Sequence, residues 1–296
     1  MGRHCAERPA GPHRPDGPAP PGLKSHDPRH PRGPPALARQ SDGAHPPGRN
    51  TARHPAPFTS TPRAGFKEIP MTTPTHRVDL YAHIHKALRL AMCETLRQLS
   101  SLDPADPLDI AATLGQLDAV LDAAQHHVEK ENRFVHPAIE ARRAGASAAI
   151  EAEHEEHLDS IGTLRAEAAA LRVMPSAAAA QRLYRRFATF VAHNFEHMAV
   201  EESRHNQALW AAYTDEELHA LHGRILASVG PQEMSEILRW MIPALAPAER
   251  AEVIGGLPPE VQAPVMASAR ALLNDAAWGK LSRAMGQASV PGLVEA

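Results

Sequence analysis

Apolar residues recur at intervals of three and four between about Thr75 and Tyr213, the spacing that places side chains on one face of an α-helix. Four long helices are predicted from this pattern, at residues 76–102, 107–143, 147–172 and 177–212. Because short connections force consecutive helices to run antiparallel, we expect an all-α fold, an up-down-up-down four-helix bundle.

Residues at the predicted helix ends favour the same boundaries. Asp106 can cap the second helix, with Pro107 at its first position. Gly145 can end that helix, and Ser147 can cap the third. The bundle domain is therefore placed at residues 74–213.

A helical extension is predicted after the bundle, at residues 214–290. It opens with a capping box formed by Thr214 and Glu217, followed by shorter helical pieces separated by prolines. Enough apolar residues follow to pack this extension on the bundle, and we expect it to support a homodimer. The apolar residues concerned are Leu238, Trp240, Met241 and Ile242.

Residues 1–73 have a different composition. Of the 28 prolines in the chain, 16 precede Met71, where 11 Lys and Arg also face only 5 Asp and Glu. Such a segment has too few apolar residues to form a core, so we expect a disordered tail, or a start of translation at Met71. A basic segment can bind nucleic acid, but no aromatic residue precedes Phe58 to stack on bases, and we expect no such partner.

The chain shows no sign of a membrane or secretory location. No window reaches the ~18 consecutive apolar residues of a membrane span, and no signal peptide is visible. Cys5 and Cys93 have no spacing typical of a disulfide framework. We expect a cytoplasmic protein with reduced thiols and no membrane partner.

Polar residues occupy the inward-facing seam of all four helices, where the heptad pattern calls for apolar side chains. A lone histidine there is usually a hydrogen-bonded core residue, and a carboxylate buried without a partner is costly. At least six such positions coincide, which favours a shared ligand. The seam residues concerned are His85, His127, Glu131, His154, His157, His197 and Glu201.

Their spacing predicts that these side chains meet at one level of the bundle. His85 and His127 are 42 residues apart, His154 and His197 are 43 apart, and each pair ends in a His-x-x-x-Glu sequence. Imidazoles mixed with carboxylates suit iron or manganese better than magnesium or calcium. Six ligands spread over four helices predict two metal ions.

Four sequences, "IHKALR", "HVEKENRFVHP", "EHEEH" and "HMAVEE", together resemble the hemerythrin-like proteins over residues 76–212. The resemblance implies a non-heme pair of iron ions, oxo-bridged, with manganese as the second choice, and dioxygen or nitric oxide bound at an open coordination position. It implies Glu131 and Glu201 as bridges, with His85, His127, His154 and His197 as terminal ligands.

Two departures from the oxygen-carrying members affect the functional hypothesis. Those proteins have a second third-helix histidine where this chain has Leu158, so His157 is only a candidate seventh ligand. Their last acid would correspond to Glu202, whereas Glu201 gives a four-residue step similar to the bacterial branch linked to iron–sulfur cluster repair. Other histidines are expected to support or surround the site: His126, His136, His193 and His205.

The leading hypothesis is a protein that binds dioxygen or nitric oxide, or that stores or senses iron or redox state. The alternative is a di-iron enzyme or iron donor in oxidative or nitrosative stress and cluster repair. A ferritin-like oxidase would use Glu151 with His154 and Glu202 with His205, but these pairs fall on the wrong helices, and Glu94 lies far from the His85 level. The remaining hypothesis is a metal-free helical protein-interaction module.

Overall fold

Two helical hairpins pack side by side in the computed structural model, which describes residues 77–286. The predicted tail at residues 1–73 and the last residues of the extension lie outside this range. The helices are α1 (Ala82–Ser100), α2 (Pro107–Lys130), α3 (His136–Arg142), α4 (Ala148–Val173), α5 (Ala177–Val200), α6 (Asn206–Ala212), α7 (Asp215–Ala227), α8 (Pro231–Ala244), α9 (Pro247–Gly255), α10 (Pro259–Leu272) and α11 (Asp275–Ala284).

The long helices α1, α2, α4 and α5 form the bundle. Each packs on the next along the chain, and α5 closes the ring against α1. One wider turn joins α2 to α3 (Glu131–Val135) and another joins α5 to α6 (Glu201–His205), so that each helical rod continues without a break. The predicted all-α four-helix bundle is confirmed, and within residues 77–286 the regular structure is helical throughout.

Capping explains most of the helix starts. The Asp106 carboxylate accepts a hydrogen bond from the Leu108 amide at 2.8 Å, as predicted. Thr214 and Glu217 form the predicted capping box at the start of α7. The prediction for Ser147 is wrong, because its hydroxyl instead donates to the carboxylate of Glu140.

Glu140 organises the turn between α3 and α4. Its carboxylate accepts hydrogen bonds from the Gly145 amide and from the amide and hydroxyl of Ser147. These bonds, the Ser147 amide first, lower the pKa of Glu140 to about 2. Gly145 has φ of 80°, a left-handed conformation that favours glycine at the end of a helix.

Two apolar clusters lie inside the bundle, one towards each end. The larger, between the four long helices, includes Leu114, Leu164 and Phe187. The smaller joins the ends of the rods to α7 and includes Val135, Ile139 and Leu209. The polar seam residues lie between these two clusters, in a part of the bundle screened from water.

The C-terminal helices form a separate core around residues such as Ile242 and Leu281. Helix α8 also packs along α1, and Trp240 contacts the larger core of the bundle, as the sequence predicted. Among the helices between residues 77 and 286, none is both long and apolar enough to cross a lipid bilayer.

Candidate metal centre

Seam histidines and glutamates from α1, α2, α4 and α5 converge in the middle of the bundle. Their side chains form two groups of four donor atoms, and every donor in a group lies within 4.8 Å of the others. The first group is His85, His127, Glu131 and Glu201. The second is Glu131, His154, His197 and Glu201. The structure therefore brings together six of the seven predicted residues.

The first group contains the Nε2 atoms of His85 and His127, together with one carboxylate oxygen from Glu131 and one from Glu201. His85 Nε2 lies 3.1 Å from His127 Nε2 and 3.5 Å from Glu201 Oε2. His127 Nε2 lies 3.2 Å from Glu131 Oε1. Ligands at right angles around an ion, with bonds of roughly 2.1 Å, lie about 3 Å apart, so these distances suit one cation.

The second group contains the Nε2 atoms of His154 and His197, together with the other oxygen of each of the same two carboxylates. His154 Nε2 lies 3.0 Å from His197 Nε2 and 3.2 Å from Glu131 Oε2. His197 Nε2 lies 3.2 Å from Glu201 Oε1. Each carboxylate thus offers one oxygen to each group.

The two carboxylates are almost fully buried and lack hydrogen-bond donors. Glu131 is 3% exposed and Glu201 is 0% exposed. Among the described residues, none of their four oxygens is satisfied by a hydrogen bond. Unsatisfied buried carboxylates are costly, and a cation between them would remove that cost. The donors present therefore fit a pair of metal ions.

Residues 76–208 match the family model of the hemerythrin HHE cation binding domain. This part of the chain is a hemerythrin-like domain. No curated protein and no solved structure matches the chain significantly. The family description establishes cation binding in general terms. The particular ligands and the identity of the metal stay predictions.

Hydrogen bonds on the far side of the ring orient three of the four imidazoles in the hemerythrin-like domain. His85 Nδ1 lies 3.0 Å from Glu202, and His154 Nδ1 lies 2.7 Å from Asn132. His197 Nδ1 lies 2.8 Å from Glu153. Such partners place the ring proton on Nδ1 and leave the Nε2 lone pair for a metal ion.

Glu202 is therefore a supporting residue in this structure. Its two carboxylate oxygens also accept a bidentate pair of hydrogen bonds from the Arg89 guanidinium, at 2.5 and 3.1 Å. Burial alone would raise the pKa of Glu202, but hydrogen bonds from His85 and Arg89 lower it to about 2. The acid in both donor groups is Glu201, four residues after His197.

Without metal, the pKa values of the two central carboxylates shift in opposite directions. Burial first, and then the nearby charge of Glu201, hold the pKa of Glu131 well above its usual range. Burial also favours the neutral form of Glu201, yet the imidazoles of His154 and His197 hold its pKa well below the usual range. A proton shared by this buried pair therefore favours Glu131 over Glu201.

Burial also keeps several histidines of the domain neutral. Desolvation, followed by the charge of His85, lowers the pKa of His127 to about 3. The pKa of His197 is raised, because the carboxylates of Glu201 and Glu153 outweigh the opposing effect of burial. Neutral imidazole is the form that binds metal.

A wider turn follows each His-x-x-x-Glu sequence. The His136 amide donates to the Glu131 carbonyl, and the Asn206 amide donates to the Glu201 carbonyl, each five residues back. These are π-helical turns, which occur often at functional sites. Because a π turn holds more than four residues, positions four and five after the glutamate both lie near its side of the helix.

The π turns bring two further histidines to the site. His136, five residues after Glu131, and His205, four residues after Glu201, are both buried. His136 stacks on His154 with ring centres 4.8 Å apart. The sequence predicted both only as residues near the site. His205 would share the face of Glu201 in an ordinary α-helix as well, because it lies four residues later. His136 lies five residues after Glu131, so an α-helical pattern does not place it inward and the π turn does.

His157 lies beside the two donor groups and belongs to neither. Its ring is buried and contacts His197 edge-on, with centres 4.6 Å apart. Its role as a seventh ligand stays a prediction. Of the other histidines expected around the site, His126 and His193 are both at least partly exposed.

Proposed function

We propose that the hemerythrin-like domain binds two iron ions and takes up dioxygen or nitric oxide at an open coordination position. Glu131 and Glu201 are the proposed bridges, with His85, His127, His154 and His197 as terminal ligands. The observation that carries this proposal is the sharing of both carboxylates, each turning one oxygen to each donor group.

The donor set favours iron among the common metals. Imidazole and carboxylate suit iron or manganese, whereas structural zinc sites commonly include cysteine, and the free Cys93 is exposed. Each group supplies four protein donors, fewer than the six of an octahedral site. A non-heme iron pair with open positions supplies a site for a diatomic ligand.

The surrounding residues favour binding or sensing over turnover of an organic substrate. Apolar side chains such as Leu164 and Ile139 pack above and below the site and exclude water. Glu202, Asn132 and Glu153 hold three of the four imidazoles by their Nδ1 atoms. A small ligand suits this packed interior better than an organic one.

Metal analysis combined with absorption spectroscopy tests the proposal. Protein prepared with ferrous iron should contain about two irons per chain and develop an oxo-bridge absorption in air, and its spectrum should change with nitric oxide. Glu201→Gln should lose both irons, whereas the matched neighbour Glu202→Gln should retain them. A chain that binds no transition metal, or only one ion, would overturn the proposal.

A second candidate is an iron donor or di-iron enzyme acting in oxidative or nitrosative stress and cluster repair. It is favoured by the position of Glu201, whose four-residue step from His197 matches the branch linked to that role, while Glu202 lies outside both donor groups. Transfer of iron to a cluster-depleted protein, or steady turnover of peroxide, lost in His85→Ala, would identify it. The absence of both activities under every reductant tried would leave the binding role.

We also propose a cytoplasmic homodimer that forms through the extension at residues 214–290. The extension has a core of its own, and it exposes apolar side chains such as Leu226 and Leu272 that a second copy would cover. Light scattering after size-exclusion chromatography should give twice the chain mass. A chain truncated after residue 213 that still dimerises would contradict the assignment of the interface.

A further inference from the structure

We infer that His136, Glu201 and His205 form a third cation position, next to the proposed iron pair, for a divalent first-row transition metal. The position rests on the proposed function because Glu201 is shared with the pair. It extends that function by adding a place from which a metal ion can enter or leave the pair.

The three side chains converge from two helical rods, His136 from one and Glu201 and His205 from the other. One donor atom from each lies within 4.8 Å of the others. His136 is 5% exposed, His205 is 1% exposed, and Glu201 is 0% exposed. The two imidazoles meet edge to face with ring centres 5.4 Å apart. This layer lies between the proposed pair and the smaller apolar cluster of the bundle.

Unsatisfied nitrogens indicate that a ligand belongs in this layer. Neither ring nitrogen of His136 has a hydrogen-bond partner among the described residues, and the same holds for His205 Nε2. Leaving a buried polar atom unpaired costs about 1–3 kcal/mol, so three such atoms in one place need an explanation. His205 Nδ1 forms a hydrogen bond with the Tyr81 hydroxyl at 3.2 Å, so Nε2 is the ring nitrogen that remains for a ligand.

The chemistry of the donors also suits a cation. Two imidazoles and one carboxylate form the ligand set typical of non-heme ferrous sites with open positions.

The charge balance of the site predicts that the third position binds its ion more weakly than the other two positions do. Three divalent ions carry six positive charges, while four carboxylates lie in or against the site: Glu131, Glu153, Glu201 and Glu202. The third position also has three donors instead of four. It should therefore fill last and release its metal first, which suits exchange of metal with the pair.

Manganese titration of the metal-free full chain tests the third position, because the electron paramagnetic resonance signal of the unbound ion counts bound Mn²⁺. Wild type should bind three ions, the third more weakly than the others. His205→Leu and His136→Phe should each bind two, the latter preserving an aromatic ring against His154. Asn194→Leu is the matched control, since it removes a buried polar side chain of α5 that belongs to none of the donor groups, and it should still bind three.

Each outcome distinguishes the two proposals. Binding of two ions by wild type and by all variants would overturn the third position and leave the pair intact. Binding of none by wild type would overturn both. Loss of the third ion in Asn194→Leu as well as in His205→Leu would show that the loss does not report on these ligands and would overturn the assignment of the position. Circular dichroism of each variant, before metal is added, identifies any variant that fails to fold. If either His136→Phe or His205→Leu does not fold, the other variant still tests the position.

Discussion

Mild acid should destabilise the metal-free protein because its core contains neutral histidines. Burial, followed by the charge of neighbouring histidines, lowers the pKa of His127 and His157 to about 3 and that of His136 to about 4. In the unfolded chain histidine titrates near about 6.5. The unfolded state therefore binds more protons below that pH, so stability is complete above it and is lost as pH falls towards the folded pKa values.

The size of the effect depends little on the folded pKa values. Between about pH 7.5 and pH 5.5, each such histidine costs about 1.4 kcal/mol of unfolding free energy, provided that its folded pKa lies well below the range. Three of them cost about 4 kcal/mol in sum. Glu131 acts in the opposite direction, since its raised pKa makes the fold more stable as pH falls through that value. The net loss should therefore be smaller than that sum.

A single substitution isolates one histidine from the opposing carboxylate. In His157→Leu the loss of stability between these two pH values should shrink by about 1.4 kcal/mol relative to wild type. Ile161→Val, one turn further along α4, is the control and should cost about 0.5–1.5 kcal/mol equally at both pH values. Urea unfolding of chelator-treated protein measures all three. An unchanged pH dependence in His157→Leu would refute the argument that this ring is buried neutral.

Three further predictions concern the metal, its supporting residues and the core. Ferrous iron at a hundred times its dissociation constant should raise the unfolding free energy by about 2.7 kcal/mol, and an unchanged melting temperature with chelator would contradict this. Glu202→Gln should keep both ions but weaken affinity about tenfold to a hundredfold, because His85 loses its orienting contact, and isothermal titration calorimetry measures this. Leu164→Ala should cost about 2–5 kcal/mol in urea unfolding, whereas Leu158→Ala, at the partly exposed edge of the same helix, should change stability by under about 1 kcal/mol.

The sequence predicted the seam of each helix because heptad spacing is a local property. In α4 both predicted seam residues, His154 and His157, are buried. The cap at Ser147 was predicted wrongly, since Glu140 competes for its hydroxyl and belongs to the preceding helix. Such competition depends on how the turn between two helices closes, which no single helix pattern contains.

The two π turns could not be predicted from the sequence, for a different reason. A turn that holds one more residue leaves the apolar pattern intact on both sides, and Ala208, seven residues after Glu201, is still buried. Only the hydrogen bond from Asn206 back to Glu201 reveals the insertion. The inward placement of His136, five residues after Glu131, follows from such a turn and became visible only in three dimensions.

Folding and metal binding depend on the same two carboxylates in opposite ways. In the metal-free protein, burial first and then the charge of Glu201 raise the pKa of Glu131, so a proton on this group lessens the cost of burying two carboxylates together. A pair of cations bound as proposed would replace that proton, since each carboxylate would then face positive charge. Metal binding is therefore predicted to release protons, and metal affinity should rise with pH. The buried carboxylates that weaken the metal-free bundle would then be the same groups that bind the metal ions.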